Sequence, residues 1–579
     1  MFDHYDAAWN ELIAEGSPFA VTEIEVRGHP VRVFENAPPT MRALWELARL
    51  HGDKTYIVYE DEHYTYAEID ARVRALAHHL RDVHGVGAGD RVAIAMRNYP
   101  EWVISYWAIA SIGAAAVGMN AWWTSQEMAY GLSDSKPKVL IADDERIERA
   151  LPVLDELRAV APLHVISVRS DRELPEGADR WDDVIHPDQA PADLPDADID
   201  PDDDVTIFYT SGTTGFPKGA QLTHRGSVHN VMNIAFMTST AQAAEAKAVA
   251  AGEVPPPEPT SEPAEAPQPV FLAPTPLFHV TANNCLLQPC TLAGGAIVFM
   301  YKWDAARALE LIERERVTNF SGVPTMSREM LLHPDWATRD TSTVQSMGGG
   351  GAPLQPDLVD KIDESLESGV PSTGYGLTET HGIVTANSAK LYTAKPSSCG
   401  RVVPTLEARL EDEFGEVLAP GADVVGELCV RGAVVIKGYL NREEATADSI
   451  RDGWFHTGDI ARIDEDGFVY IVDRAKDMVL RGGENVYCSE VETAIYQHPD
   501  VAEAAVFGVP DDRLGEDVAA AVVLRPGRSL TQEDLASFLA ERIAKFKIPA
   551  TVWFRDEPLP QNANGKFLKR ELRDQLVGS

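Results

Sequence analysis

Cysteine is scarce in this chain, and basic charge is much scarcer than acidic. The five cysteines, Cys285, Cys290, Cys399, Cys429 and Cys488, are odd in number, scattered and without a CxxC pair. That pattern argues against a disulfide framework or a zinc site, and it favours reduced thiols and a cytoplasmic location. Lys and Arg total 51 against 90 Asp and Glu, a formal charge of −39. Binding a nucleic-acid backbone relies on clustered cations, so no nucleic acid is expected as a partner. An anionic membrane surface is disfavoured for the same reason. A smaller anion would need local basic residues set against the overall field. The N-terminal Met1-Phe-Asp-His-Tyr-Asp lacks a basic region and an apolar core, so no secretory signal is expected. Long apolar runs are nearly absent. Trp102 to Met119 carries no charge, but its Gly, Ala and Ser content and the turn-like Met119-Asn120 predict a buried helix running into a strand. No transmembrane segment is expected.

What is present is the composition of a soluble globular protein, 44% hydrophobic and 24% charged. A length of 579 residues calls for two or more domains. Tyr66–Leu80 has helical periodicity, while Arg91–Ala95 and Lys138–Ala142 read as short buried strands, the alternation of an α/β protein. The Asp-rich stretch from Asp193 to Asp204 reads as a linker. The segment from Ser239 to Gln268 is rich in Ala, Glu and Pro, and is expected to be a mobile surface insertion. Asp464-Glu-Asp-Gly467 predicts a hairpin turn between two short strands. After Asp473-Arg474 the pattern becomes compact α+β: helix at Ser489–Gln497, strands at Ala504–Val509 and Val518–Leu524, and a helix start at Thr531. The expected organisation is a domain over 1–473, a hinge over 474–477 and a small domain over 478–579.

The chemistry concentrates in short motifs. Tyr209-Thr-Ser-Gly-Thr-Thr-Gly-Phe-Pro-Lys-Gly219 follows the apolar strand Val205–Tyr209. Its glycines let backbone N–H groups approach a ligand, Ser211, Thr213 and Thr214 add short donors, and Lys218 adds positive charge. Such a loop suits a polyphosphate, although a Ser/Thr/Gly-rich surface turn is the plainer reading of these residues alone. It is not a Walker A loop, because Pro217 precedes Lys218 and Gly219 follows it.

Gly374-Tyr-Gly-Leu-Thr-Glu-Thr380 offers a hydroxyl at Thr378 for a phosphate, an acidic oxygen ligand for Mg²⁺ at Glu379, and the flat face of Tyr375 for a base. Gly348-Gly-Gly-Gly-Ala-Pro353 removes side-chain volume where a planar base or an alkyl chain would lie against backbone; a flexible loop is the rival. Trp454-Phe-His-Thr-Gly-Asp459 precedes Asp473-Arg474, a carboxylate for ribose hydroxyls and an arginine for ribose or phosphate. Lys476-Asp-Met-Val-Leu-Arg-Gly-Gly-Glu-Asn485 and Leu559-Pro-Gln-Asn-Ala-Asn-Gly-Lys-Phe-Leu-Lys-Arg570 follow. Pro276-Leu-Phe-His279 completes the set, with a satisfied core histidine as its alternative.

In this order the motifs resemble those of the acyl-adenylate-forming superfamily, which includes acyl-CoA synthetases, coumarate ligases, firefly luciferase and peptide-synthetase adenylation domains. The resemblance spans about Tyr209 to Arg570. It implies a large N-terminal α/β domain of several subdomains with mixed sheets, and a small mobile α+β C-terminal domain. It further implies ATP, Mg²⁺ and CoA as cofactor and co-substrates. The nucleotide contacts carried over are Thr210, Ser211, Gly212, Thr213, Thr214, Gly215 and Lys218; Gly350, Gly351 and Ala352; Thr373, Gly374, Tyr375, Gly376 and Thr378; and Asp459, Ile471 and Arg474. Glu379 is the implied metal ligand. Lys566, Thr378, Glu379 and His279 are the implied catalytic group, Lys476 the hinge, and Arg481, Gly482 and Gly483 the CoA channel. The acyl pocket is carried onto His279, Val280, Asn283, Val323, Met347 and Gly349.

The implied chemistry is two half-reactions. A carboxylate attacks the α-phosphorus of ATP, giving acyl-AMP and pyrophosphate, and CoA then takes the acyl group. The expected pocket stretches Val280–Leu287, Gly322–Thr325 and Met347–Gly351 are mostly apolar or small and hold no Lys or Arg, which favours a monocarboxylate. A medium- to long-chain fatty acid is the main expectation, with aryl and sterol side-chain acids open. A fatty-acyl-AMP ligase is the close rival, disfavoured because no insertion stands between Gly432 and Arg474. A catalytically dead nucleotide sensor is the non-enzyme alternative. Many relatives dimerise through the large domain, so a homodimer is compatible, though no residue decides it.

Overall fold

A computed structural model describes residues 2–210, 217–254, 267–351, 354, 356–366, 369–421, 424–482, 484–511, 513–562 and 567–577. Two compact units divide the chain. One comprises Met1–Pro396, Gly400–Glu407 and Arg431–Phe455; the other comprises Ser397–Cys399, Ala408–Val430 and His456–Ser579.

The first unit carries a seven-stranded sheet in the order Lys218–Thr223, Asp204–Thr210, Ala115–Gly118, Arg91–Ala95, Val139–Asp143, His164–Val168 and Ala178–Arg180. All neighbours but the first pair are parallel. Parallel strands are covered on both faces, which is why these segments read as continuous apolar runs rather than alternating ones. The uncharged run after Trp102 forms the helix Pro100–Ser111, buried at every position, and then the strand Ala115–Gly118. Among the described residues no helix is long and apolar enough to cross a membrane.

A second run of strands in this unit places Gly400–Val402, Gly382–Ser388, Val370–Leu377, Ser346–Gly349, Asn319–Gly322, Val270–Ala273, Ala296–Phe299, Thr55–Tyr59 and Glu62–Thr65 side by side in that order. The helix Tyr66–Asp82 starts with a capping box in which Thr65 and Glu68 satisfy each other's backbone N–H groups.

The helix His224–Ala250 differs from expectation. Residues 239–250, read from composition as part of a mobile insertion, continue this helix, with Thr240 and Ala248 buried. Alanine is the strongest helix former and its side chain loses no rotamer freedom, so the Ala-rich run propagates the helix. The helix Phe2–Ile13 gives it a partner: the Trp9 and Phe236 rings meet edge to face at 4.8 Å, and Glu11 pairs with Lys247. The centre of the Pro-rich stretch, 255–266, lies outside the described residues.

In the second unit, the part of the strand Trp454–Ile463 from Asp459 to Ile463 pairs antiparallel with Phe468–Arg474 about the Asp464–Gly467 turn. Downstream, Val501–Asp511, Gly515–Leu524 and Thr551–Arg555 build a sheet packed on the helices Cys488–Tyr496 and Gln532–Ala540. Thr531 caps the second of these through the Asp534 N–H.

Candidate active site

In the first unit, two antiparallel strands flank the Tyr209–Gly219 motif, and their ends face each other in register, Thr210 opposite Lys218. Ser211, Gly212, Thr213, Thr214 and Gly215 lie outside the described residues. Glu379 arrives from another element, the tight turn Thr378–Thr380 that follows the strand Val370–Leu377. The two motifs meet: Thr210 Oγ1 donates to Glu379 Oε1 at 3.4 Å. Tyr439 donates its hydroxyl to the same oxygen at 2.9 Å. Lys218 Nζ sits 4.9 Å from the centre of the Tyr439 ring. One carboxylate oxygen is thus anchored, while Oε2 accepts no hydrogen bond among the described residues. Burial, followed by the Glu379 charge, raises the Tyr439 phenol far above its ordinary value, so it stays a donor.

His381 fixes the turn itself. Its Nε2 accepts from the Thr223 N–H at 2.8 Å, and its Nδ1 donates to the Val434 carbonyl at 2.6 Å. A backbone N–H must meet a lone pair, so the tautomer follows from the partners. Burial pushes the ring down to about 3, which keeps it neutral. The Ile436 N–H donates to the Glu379 carbonyl, tying the 434–439 segment to the same turn. Gly226 is required beneath it, since an added Cβ would lie 2.3 Å from His381 Nε2. Sequence reasoning missed both Tyr439 and His381. Their signal is faint: a tyrosine after Lys437-Gly438 at the end of an apolar run, and a histidine one residue beyond the Thr-Glu-Thr motif.

The glycine run has a more mixed role than expected. The strand Ser346–Gly349 lies between Asn319–Gly322 and Val370–Leu377. A Cβ on Gly348 would fall 1.7 Å from the Ser372 carbonyl oxygen, and one on Gly349 equally close to that of Gly322. These glycines are required by neighbouring strands. Open space begins at Gly351, where a Cβ would meet only Val323 Cγ1 at 3.8 Å. Gly350 would still approach the Gly374 carbonyl at 2.9 Å, and Gly376 that of Gly382 at 1.7 Å. Thr373 donates to the Gly349 carbonyl, and Tyr375 pairs in register with Thr385. Met347 is fully buried in an apolar cluster with Phe320 and Leu358. Ala352 lies outside the described residues.

His279 begins a short helical stretch containing Val280 and then a wide π turn over Asn283–Leu287. Asn98 braces the preceding loop, donating to the Thr275 carbonyl and accepting from the Leu277 N–H. His279 Nε2 is buried and has no hydrogen-bond partner among the described residues. Burial lowers the ring to about 4, so a neutral imidazole waits with an unsatisfied polar atom.

In the second unit, Asp459 and Arg474 oppose each other in the strand pair, Nε and Oδ1 being 3.4 Å apart. Asp459 is buried and Arg474 half-exposed, with Ile471 opposite Ala461 on the same ladder. Glu427 accepts from the Gly458 N–H and lies 3.4 Å from His456 Nδ1, which steadies the loop leading to Asp459. Lys476 is lowered by burial and then by Arg474. Arg481 pairs with Asp517, and Gly482, at φ +60°, donates to the Leu514 carbonyl. Gly483 and Lys566 lie outside the described residues. Sequence reasoning also missed a partly buried ion pair here, Lys569 Nζ to Glu492 Oε1 at 2.6 Å. Asp473, in the field of both, is pushed up to about 6, chiefly by burial.

The AMP-binding enzyme family matches residues 44–440, and the AMP-binding enzyme C-terminal domain matches 490–566. A feruloyl-CoA synthase from an Amycolatopsis species is 36% identical over 530 residues, 91% of this chain and 96% of that protein. A long-chain-fatty-acid–CoA ligase from Bacillus subtilis is 33% identical over 560 residues, covering 92% and 93%. The crystal structure of ATP-bound MatB from Rhodopseudomonas palustris superposes with a TM-score of 0.76 at 29% identity, covering 92% of this chain and 98% of that one. The chain therefore belongs to the AMP-binding enzymes of the acyl-adenylate-forming superfamily, and it is an AMP-forming CoA ligase.

Proposed function

We propose that this ligase activates an apolar monocarboxylate, a medium- to long-chain fatty acid being the first candidate, with Thr210, Lys218 and Thr378 holding the ATP phosphates and Glu379 serving as the Mg²⁺ ligand. The observation that carries the site assignment is the Glu379 carboxylate, anchored through one oxygen by Thr210 and Tyr439. The hard oxygen donors of Thr210 and Glu379 fit Mg²⁺, which when bound neutralises charge on the phosphate oxygens. In this reading Lys218 draws the leaving pyrophosphate, and Thr378 donates to the α-phosphate. The unsatisfied His279 Nε2 orients the incoming carboxylate or the phosphate. Asp459 and Arg474 hold the ribose. Lys566 brings its ammonium to the carboxylate during attack and stabilises charge developing on the α-phosphate.

The same Lys566 would obstruct a thiol approaching the acyl-AMP carbonyl. The C-terminal region therefore turns about Lys476, and Arg481, Gly482 and Gly483 line the CoA path. The acid assignment rests on the apolar and small residues Val280, Val323 and Gly351, none of them charged. A phenylpropenoic acid is the second reading, favoured by the relative named feruloyl-CoA synthase. CoA consumption measured across straight-chain acids from eight to eighteen carbons and across cinnamic, coumaric and ferulic acids separates them. A kcat/KM that rises with chain length supports the fatty acid. A preference for the phenolic acids replaces it with the second reading.

A further inference from the structure

Far from the adenylation motifs in sequence, three imidazoles and a carboxylate converge at the edge of the seven-stranded sheet. His79 lies in the last turn of the helix Tyr66–Asp82, and His84 follows in the loop beyond it. His164 opens the strand His164–Val168, and Asp179 is the middle residue of the edge strand Ala178–Arg180. The parallel register places Asp179 opposite Ile166, which brings its side chain back toward the start of the neighbouring strand.

The geometry is specific. His79 Nε2 and His84 Nε2 lie 3.0 Å apart. Two ring nitrogens at hydrogen-bond distance cannot both carry protons, so at least one offers a lone pair. One ring nitrogen from each of these histidines and one oxygen of Asp179 all fall within 4.8 Å of one another. Donor atoms around a tetrahedral ion with ligand bonds of about 2.0–2.1 Å are spaced by roughly 3.3 Å, so small rotations would close this set on an ion. His164 Nε2 holds Asp179 Oδ2 at 2.8 Å, and the His84 ring leans on the His164 ring with centroids 4.0 Å apart. Carboxylates that ligate a metal are themselves held by hydrogen bonds, and His164 supplies one to Asp179. All four side chains are partly exposed, which leaves an entry path from solvent.

We propose that His79, His84 and Asp179 bind a divalent first-row transition ion such as Zn²⁺, with His164 positioning Asp179. Two imidazoles and one carboxylate suit Zn²⁺, Ni²⁺ or Cu²⁺ and discriminate against Mg²⁺, which prefers an all-oxygen octahedral shell. The ligands come from three separate stretches of chain, so the ion ties the end of the helix to the edge of the sheet. Nothing in acid activation uses these residues. The ion acts on stability by mass action, because it binds the folded edge and not the unfolded chain.

The test uses the full chain without a histidine tag, stripped by a chelator and dialysed against Zn²⁺ in an excess of Mg²⁺. One Zn²⁺ is retained per chain, and the melting temperature rises with Zn²⁺ concentration. The double variant His79→Gln, His84→Gln retains no ion and loses that rise, while its metal-free melting temperature and CoA-release rate match the parent. His164→Gln weakens affinity by about 10–100-fold without abolishing it. Substitution by Co²⁺ gives d–d bands with no thiolate charge-transfer band. Equal Zn²⁺ retention by the parent and the double variant overturns the proposal, as does no retention by the parent. So does a thiolate band that survives the double substitution, which would assign the ion to the Glu411, Cys429 and His456 cluster instead.

Discussion

The Tyr439 hydroxyl donates to Glu379 Oε1 across 2.9 Å, joining two residues that stand 60 positions apart in the chain. The same oxygen receives the Thr210 hydroxyl, and Lys218 lies over the Tyr439 ring. Tyr439 thereby links the acidic residue and the lysine of two separate motifs.

Tyr439→Phe keeps the ring under Lys218 and removes only the donor. A hydrogen bond to a charged group contributes about 1.5–3 kcal/mol, so acid-dependent ATP–pyrophosphate exchange falls by roughly 10–100-fold. The melting temperature changes little. Exchange at the parental rate would remove Tyr439 from the site.

Gly349→Ala places a methyl group 1.7 Å from the Gly322 carbonyl oxygen, where neither backbone can yield without unpairing the strands. The variant loses more than about 3 kcal/mol by urea unfolding and accumulates poorly as soluble protein. Gly374→Ala, whose nearest neighbours would lie at 3.5 Å, is tolerated far better in stability. Equal stability of the two variants would contradict the packing role given to Gly349.

Burial holds His224 and His381 down to about 3, and His229 and His279 to about 4, from an ordinary 6.5. A depressed histidine contributes stability above its unfolded value, lost as pH falls from 6.5 toward the folded value. Unfolding at pH 5 therefore takes up about one proton for each of these four rings. His224→Asn reduces that uptake by about one, read from the pH dependence of the urea midpoint. An unchanged slope would mean that His224 titrates normally in the folded chain.

Much of this was legible in the sequence, for reasons that differ by element. The buried run at Arg91–Ala95 and the helix at Tyr66 follow from local patterning and a capping box. The motifs at Thr210, Lys218, Glu379, Asp459 and Arg474 stand out because each packs unusual residues into a short span, and the structure brings Thr210 to Glu379 and Asp459 to Arg474. Tyr439 and His381 were not readable, since their roles depend on partners more than 50 positions away and their immediate neighbours are unremarkable. Composition hides the helix through residues 239–250, because it reports mean polarity, whereas the helix His224–Ala250 also draws on contacts with the helix Phe2–Ile13. The glycine run was half read: ligand space and strand packing both remove side chains, and only coordinates separate Gly351 from Gly349.

Lys476→Pro restricts the backbone at the proposed hinge. It slows thioester formation from acid, ATP and CoA more than it slows pyrophosphate exchange, by about tenfold or more where the conformational step limits turnover. Parallel loss in both assays would assign Lys476 a purely local role.

In the proposed function one chain carries out two separable half-reactions, and Lys566 serves only the first. The direct measurement is Lys566→Ala assayed twice: acid-dependent ATP–pyrophosphate exchange without CoA, and thioester formation from supplied acyl-AMP and CoA. Exchange is expected to drop by about 10²–10³ while thioester formation from acyl-AMP stays close to the parent. Equal losses in the two assays, or exchange that survives the substitution, would contradict it.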